Sequence, residues 1–470
     1  MMEVHTNRQE ESIMKTTFKF IIAAMAAVSV FSSCQKELAN ETVNNTTGGV
    51  RIFSVQFDNS TKATLDGFTP KFANGDAIRV SNTEKSEECT VSVDGSGNAT
   101  FSTTLSGDLT AIYPTDAAVF TGNGPISDPF FKVLAIQDGD VAKAIIAKAE
   151  IAVGSTSATF TRQTALFQIT PPAGATTFTV TSLKAVVSGA RTGDAVAINT
   201  EGADDAAKRV INVTVPSDGT AYVALKAGVN LSDLSFDAGE TYGMKGIPAK
   251  DIAAAGKTDA TAANTKYTIG NTNWHPYVTI GGKKWATMNI GATSATEAGK
   301  YFAWGDIVGQ TPSSSTFSPG FTWTTCPFAA TANPTFNKYV PASQTSYLAE
   351  GFAGDTKTVL DLADDAANAN WGGPWRIPTK EEFDALALLK TGDFESGYNF
   401  GTADAKIFLP AAGFGNDTTL WADGVSGHYW SSSLYTDGPN AAYRLCFSDG
   451  DASTNNYSRC NGLSVRALSE

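Results

Sequence analysis

Histidine is the scarcest reactive group in this chain, with three in 470 residues, and His5 lies ahead of the apolar leader. That leaves His275 and His428 for everything downstream. Cysteine is almost as rare: five are present and none forms a CxxC pair, so a zinc site with Cys/His spacing is excluded. Basic residues are in deficit, 34 Lys and Arg against 47 Asp and Glu, for a net charge of -13 and a pI near 4.8. Nucleic acid is thereby excluded as a partner, because its phosphates need clustered cations. Tryptophan is absent from the first 273 residues; all eight lie from Trp274 onward. So sharp a change marks a domain boundary near residue 271, with residues 270–273 as the join. Charged residues make up only 17%, while Thr, Ser, Ala and Gly are frequent, a profile suited to an exported β-rich protein.

Lys15 and Lys19 precede an apolar run, residues 20–31, followed by Ser32, Ser33 and Cys34. The run is too short to span a bilayer, which takes about 20 residues. It matches a signal-peptide core of about 7–15 residues. Small residues directly before a cysteine resemble a bacterial lipobox, with Phe31 bulkier than the usual Leu. The reading is a signal peptide over 1–33 (its true start at Met14), lipid on Cys34, and a polar tether over 34–49. An ordinary signal peptide cut elsewhere is the alternative. The lipid places the protein at the outer membrane or cell surface.

Residues 50–270 read as strand after strand. Phe53, Val55 and Phe57 alternate, as do Val91 and Val93, Phe178 and Val180, and Ile211, Val213 and Val215, with turn pairs such as Asp66–Gly67, Asn74–Gly75 and Asp94–Gly95 between runs. The pattern predicts all-β sandwich domains, one over 50–164 and a second over 165–270. One Ala-rich helix is predicted over 251–263. The early strand, the F-x-N-G-D-x-I-x-V step at 72–80 and the Tyr113–Pro114 pair resemble the opening domain of fimbrillin-like lipoproteins of Gram-negative gut anaerobes. That resemblance implies two consecutive sandwiches after the lipidated cysteine, and fimbrial subunits as partners through strand exchange. It also implies a trypsin-like protease that removes the first strand; Arg51 and Lys62 are the candidate cut points, with plain surface residues as the alternative.

From 271 to 470 the character changes. Residues 277–292 read as a hairpin with Gly281–Gly282 at its turn, and a long aromatic loop spans 310–347. Thr379 and Glu382 form a capping box that opens a helix with Phe383, Leu386 and Leu389 on one stripe. A second helix is predicted over 358–368, with Val359, Leu362 and Ala366 inward and Asp361, Asp364 and Asp365 on a solvated or cation-binding face. The blocks WATMNIGA, YFAWGD, NWGGPWRIPTKEEFDAL, IFLPAAGF, YWSSS and GLSVRAL occur in that order. They resemble the FISUMP, or major paralogous, domain, which implies an α+β C-type-lectin-like fold. The Glu-Pro-Asn and Trp-Asn-Asp triplets of calcium-dependent lectins are absent. Asp449 and Asp451 stand two apart as in some calcium loops, but further ligands are not evident and a polar turn is the simpler reading, so no cofactor is assigned.

Residues 427–468 hold two apolar runs separated by turn formers. Trp430, Leu445, Phe447, Leu463 and Val465 are predicted inside, and the positions between them form a display surface. Tyr435, Arg444, Ser448, Asp449, Asp451, Asn456, Tyr457 and Arg459 are the candidate ligand-binding residues, combining aromatic faces with charge-assisted donors. Cys446 and Cys460 lie symmetrically about Ser453, so a hairpin centred there would bring them within disulfide reach. In diversified variants of the lectin-like fold, end-strand residues derive from a mutable Asn codon. Arg444, Cys446, Ser448, Asn455 to Ser458, Cys460 and Asn461 are reachable from such a template, and the two cysteines are then accidents of diversification. His428 lies near Ser431, Ser432 and Ser433, but no nucleophile, base and orienter emerge as a set, so no catalytic residues are assigned. The leading expectation is a surface adhesin binding a glycan or protein ligand, in the form of a fimbrial tip subunit, since only Ser469 and Glu470 follow Leu468. A non-polymerising glycan-capture lipoprotein is the alternative, and an enzyme of the formylglycine-generating superfold stands behind both.

Overall fold

The structure, a computed structural model, describes residues 49–58, 71–118, 123–126, 132–134, 136–137, 139, 144–182, 191–192, 195–197, 210–225, 227–256, 258–263, 265–330 and 334–470. The leader, Cys34 and Lys62 lie outside them.

Alternation makes the first strand, Arg51–Phe57, two-faced: Phe53, Val55 and Phe57 are buried while Ile52, Ser54 and Gln56 face out. It lies between Ala99–Thr103, antiparallel, and Ser157–Arg162, parallel. These belong to an eight-stranded sheet folded around one core. Ser157–Arg162 turns its corner, since Ser157 to Phe160 pair with the first strand and Thr161 and Arg162 pair with Ala147–Ile151. Inside, Phe57 stacks on Phe72 with ring centroids 4.4 Å apart, and Tyr113 and Phe160 meet them edge-on or tilted. Arg51 Nη1 donates to the Gly107 carbonyl at 2.8 Å. A cut after Arg51 would leave residues 52–57 attached, so Arg51 is not placed to liberate the strand.

A second core collects Phe167, Phe178, Val180, Ile211, Val213, Val223 and Phe236 between a three-stranded and a five-stranded sheet. The chain leaves the first sheet at Ser157–Arg162 and enters the second unit at Ala165–Ile169, but an earlier segment already crosses over. Ile136–Gln137 pairs with Val210–Thr214, and Ile112, Val133 and Ile146 join the second core. The Ala-rich helix is shorter than predicted, Ala249–Ala254, because only Ile252 anchors it.

The region beyond 271 is mostly sheet, with the short helices Ala366–Trp371 and Lys380–Ala387. Tyr277–Ile280 and Lys283–Asn289 form the predicted hairpin, with Gly281 and Gly282 both at positive φ, 60° and 79°. Lys283–Asn289 also pairs with Arg466–Ser469. A seven-stranded sheet surrounds Gly427–Leu434. The helix Lys380–Ala387 starts on the predicted capping box and buries Phe383 and Leu386 against Leu445 and Phe447. Trp430, Leu463 and Val465 are buried in an adjoining core.

Two predicted elements differ. The helix over 358–368 is a 3-10 turn, Leu362–Asp364, then a helix Ala366–Trp371. Asp365 is not on a solvated face: it is buried, caps the second helix through the Ala367 and Asn368 N–H groups, and accepts from Ile377 N at 2.8 Å. Lys338 bridges Asp361 (2.8 Å) and Asp364, which occupies the cluster read as a cation face. The 310–347 stretch is packed rather than free. It contains the strand Thr316–Phe321, and Phe321 presses on backbone so close that a Cβ on Gly462 would sit 2.2 Å from its ring. Phe317, Phe336, Tyr339 and Val340 are buried too.

The second and third units interlock. Trp274 is buried in the second core and Met244 in the third. Met244 and His275 exchange two backbone hydrogen bonds of 3.0 Å. Asp237 receives Lys284 Nζ at 2.8 Å and the Tyr277 hydroxyl at 3.1 Å. Gly246 meets Gly372 so closely that a Cβ would lie 2.2 Å from the Gly372 carbonyl carbon.

Arg466, fully buried, donates Nε to Asn289 Oδ1 (2.8 Å), Nη1 to Ala286 O (3.0 Å) and Nη2 to Phe408 O (3.0 Å). Arg466→Ala strips three buried acceptors of their donor and should cost about 3 kcal/mol. Denaturant titration should show a lower midpoint, with Arg466→Lys recovering only part of it; an unchanged midpoint for Arg466→Ala would refute this role.

Candidate functional site

The C-terminal hairpin supplies the face. Ala441–Phe447 and Ala452–Ser458 are antiparallel, with Ala442 opposite Tyr457, Arg444 opposite Asn455 and Cys446 opposite Ser453. On the other flank Gly427–Leu434 sets His428 opposite Cys446 and Trp430 opposite Arg444. Side chains alternate across a sheet, so His428, Arg444, Cys446, Asn455 and Tyr457 share one face. Strand Ala412–Asp423 adds Phe414 beside them.

The contacts on this face are dense. The Arg444 guanidinium lies 3.5 Å above the Tyr457 ring centroid. Its Nε donates to Asn455 Oδ1 at 3.0 Å, and Asn455 Nδ2 donates to Cys446 Sγ at 3.1 Å. The His428 and Tyr457 rings are parallel at 6.3 Å, and Phe414 stands edge-on to both at 5.1 and 5.4 Å. Ser426 Oγ lies 2.8 Å from His428 Nε2. Arg444 Nη1 and His428 Nδ1 are buried and have no hydrogen-bond partner. Burial, reinforced by the Arg444 charge, pushes His428 down to about 3, so the imidazole is neutral at ordinary pH. The result is an aromatic, cationic wall rimmed by exposed Ser453 and Asn455. It offers stacking surfaces and donors, and the Ser426–His428 pair within it has no orienting group, since His428 Nδ1 has no hydrogen-bond partner.

The other candidate residues distribute as follows. Ser448, Asp449 and Asp451 are exposed at the hairpin tip. Among the described residues no group of three or more His, Cys, Asp and Glu side chains is placed to hold a metal ion. Asn456 stands opposite Tyr443, on the face away from Arg444, and Tyr435 meets Tyr443 edge-on at 5.5 Å. The predicted set is therefore split between two faces of one sheet. Arg459 is on neither. It is fully buried, 4.8 Å from the Trp304 ring and 4.1 Å from the Phe336 ring, with Nη1 donating to Pro439 O at 2.9 Å. The strand has ended at Ser458, and the side chain turns inward to satisfy loop carbonyls.

The Cys446–Cys460 disulfide is not formed. A pairing of Cys446 with Ser453 centres the turn on the exposed 448–451 segment, not on Ser453, which carries Cys460 past the end of the strand. Both cysteines are free thiols. Sequence reasoning missed Phe414, and it weighed His428 only as a catalyst. Placing the turn at the Ser-Asp-Gly-Asp segment, the strongest turn signal in the stretch, would have brought His428, Cys446 and Ser453 into line.

No protein-family model and no curated protein matches the chain. Among solved structures, a candidate cell adhesion protein from Bacteroides uniformis is similar over 48% of this chain and 94% of its own, at 16% identity and a TM-score of 0.29. A fimbrial protein from Bacteroides ovatus covers 90% of this chain and 99% of its own, at 10% identity and a TM-score of 0.25. A fimbrial anchor protein from Porphyromonas gingivalis covers 41% and 80%, at 13% identity and a TM-score of 0.20.

His428 makes stability pH-dependent. The unfolded chain takes up its proton near pH 6.5, the folded chain only near 3. Its stabilising contribution is complete above 6.5 and falls as the pH drops between those values, by at most about 1.4 kcal/mol per pH unit. His428→Gln should flatten the acid decline of the unfolding midpoint, and a slope identical to wild type would contradict the burial of a neutral imidazole.

Proposed function

We propose that this protein is a lipid-anchored cell-surface adhesin that binds a glycan or protein ligand through the Arg444–Tyr457 face of its C-terminal unit. The β-sandwich units act as the stalk between the lipid and that face. The observation that carries the reading is the guanidinium stacked on Tyr457 beside His428 and Phe414, with the buried Arg444 Nη1 left without a partner and exposed Ser453 and Asn455 at the rim. Planar rings match the apolar faces of sugars and peptide side chains, and a guanidinium donates to their oxygens. The motif blocks from WATMNIGA to GLSVRAL support a lectin-like unit here, and the lipobox-like cysteine supports the anchor.

An array of glycans and surface proteins probed with the full chain should yield a ligand. Arg444→Ala with Tyr457→Ala should weaken its binding by at least about tenfold, equivalent to about 1.4 kcal/mol. Tyr435→Ala and Asn456→Ala, on the opposite face, should bind as wild type; the reverse pattern would move the site to that face. Cys34→Ala should shift the protein from membrane to soluble fractions, and retained membrane association would remove the lipid anchor.

A further inference from the structure

Two cysteines far apart in sequence meet in one small core. Cys326 follows the strand Thr316–Phe321, and Cys460 follows the strand Ala452–Ser458. Both are buried in the same cluster as Phe336 and Val340. Ser458 Oγ lies 3.3 Å from the Cys460 sulfur, and the two thiols are near enough to shift each other's acidity, Cys326 upward and Cys460 downward. The neighbouring Arg459 guanidinium is buried with carbonyl partners, its Nε has no partner, and its charge favours the thiolate form of Cys326. We propose that Cys326 and Cys460 form a disulfide in the exported protein, tying the aromatic 310–347 segment to the end of the recognition hairpin.

The reaction is a dithiol–disulfide exchange with a carrier disulfide of an oxidising compartment. The mutual shift makes Cys460 the more acidic thiol and holds the proton on Cys326. The Cys460 thiolate attacks one carrier sulfur and expels the other as a thiolate. Cys326, once deprotonated by that leaving thiolate, attacks Cys460 Sγ in the mixed disulfide. The carrier departs as a dithiol carrying two electrons and both protons, and one S–S bond remains in the protein. Cys446 is excluded from this pairing, because its sulfur faces Asn455 across the sheet.

The inference rests on the surface location proposed above, and two samples separate the failures. Full-length protein is recovered from the cell envelope, alkylated with N-ethylmaleimide under denaturing conditions without reductant, and mapped by peptide mass spectrometry. The expected result is alkylated Cys89 and Cys446, with Cys326 and Cys460 in a single cross-linked peptide that reductant releases. Full-length protein purified under reducing conditions and then exposed to oxidised glutathione should give the same cross-link, and Cys326→Ser should abolish it without creating a Cys446–Cys460 bond. Free thiols at both positions in both samples overturn the proposal on geometry. Free thiols in the envelope sample with a cross-link after glutathione overturn it on compartment, and with it the surface location.

Discussion

Buried guanidinium groups without counter-ions hold the C-terminal unit together. Arg466 is enclosed by an amide oxygen and two backbone carbonyls drawn from the strands Lys283–Asn289 and Lys406–Pro410. The planar fork reaches three acceptors in fixed directions, which an ammonium cannot do. Burial lowers its pKa to about 10, still far above neutrality, so the charge persists and every donor must be answered. This requirement fixes where three strands meet. The hairpin of Gly281–Gly282 and the terminal strand can take only the register that presents Asn289 and the Ala286 carbonyl to the same side chain. Arg459 does the equivalent at the far end of the sheet, gathering the Tyr339 and Pro439 carbonyls.

That geometry determines what kind of surface the hairpin presents. One side of the sheet is committed to the helix Lys380–Ala387 through Leu445 and Phe447. The other gives Trp430 and Ala442 to the adjoining core and carries Arg444, Tyr457, Cys446 and Asn455 beside them, with Arg444 buried against the Tyr457 ring and Asn455 exposed. Stacking disposes of the cation without an acid. The Tyr457 ring serves as partner for the charge, and the net acidity of the whole chain makes this a local exception in sign. A surface of that kind selects by shape and by acceptor oxygens more than by long-range attraction.

Much of this was legible in advance, for identifiable reasons. Period-two alternation at Phe53, Val55 and Phe57, the glycine pair at 281–282 and the Thr379–Glu382 capping box are local signals whose physics is complete within a few residues, and each produced the predicted element. The set Trp430, Leu445, Phe447, Leu463 and Val465 is buried as expected but not on one face: Leu445 and Phe447 pack under the helix, while Trp430, Leu463 and Val465 fill the adjoining core. The failures were non-local. Arg459 was read as a surface donor because arginine usually is one; nothing within its neighbourhood announces the carbonyls 20 and 120 residues away that it satisfies. A two-strand symmetry argument misplaced the cysteine pairing by a few residues of turn position. Asp365 was read from its helical periodicity, whereas its buried carboxylate is taken by the Ala367, Asn368 and Ile377 amides. The partition at 164 missed that Ile136–Gln137 crosses into the neighbouring sheet, an exchange that composition cannot register.

The seam at Gly246 and Gly372 has a mechanical meaning. Two bare backbones in contact, with Trp274 lent to one core and Met244 to the other, leave no slack polypeptide at the place where composition changes. The join is a weld and not a swivel. A force applied to the C-terminal hairpin would therefore be passed directly to the second core. A single methyl at position 246 would act as a wedge, tilting the C-terminal unit against the second core.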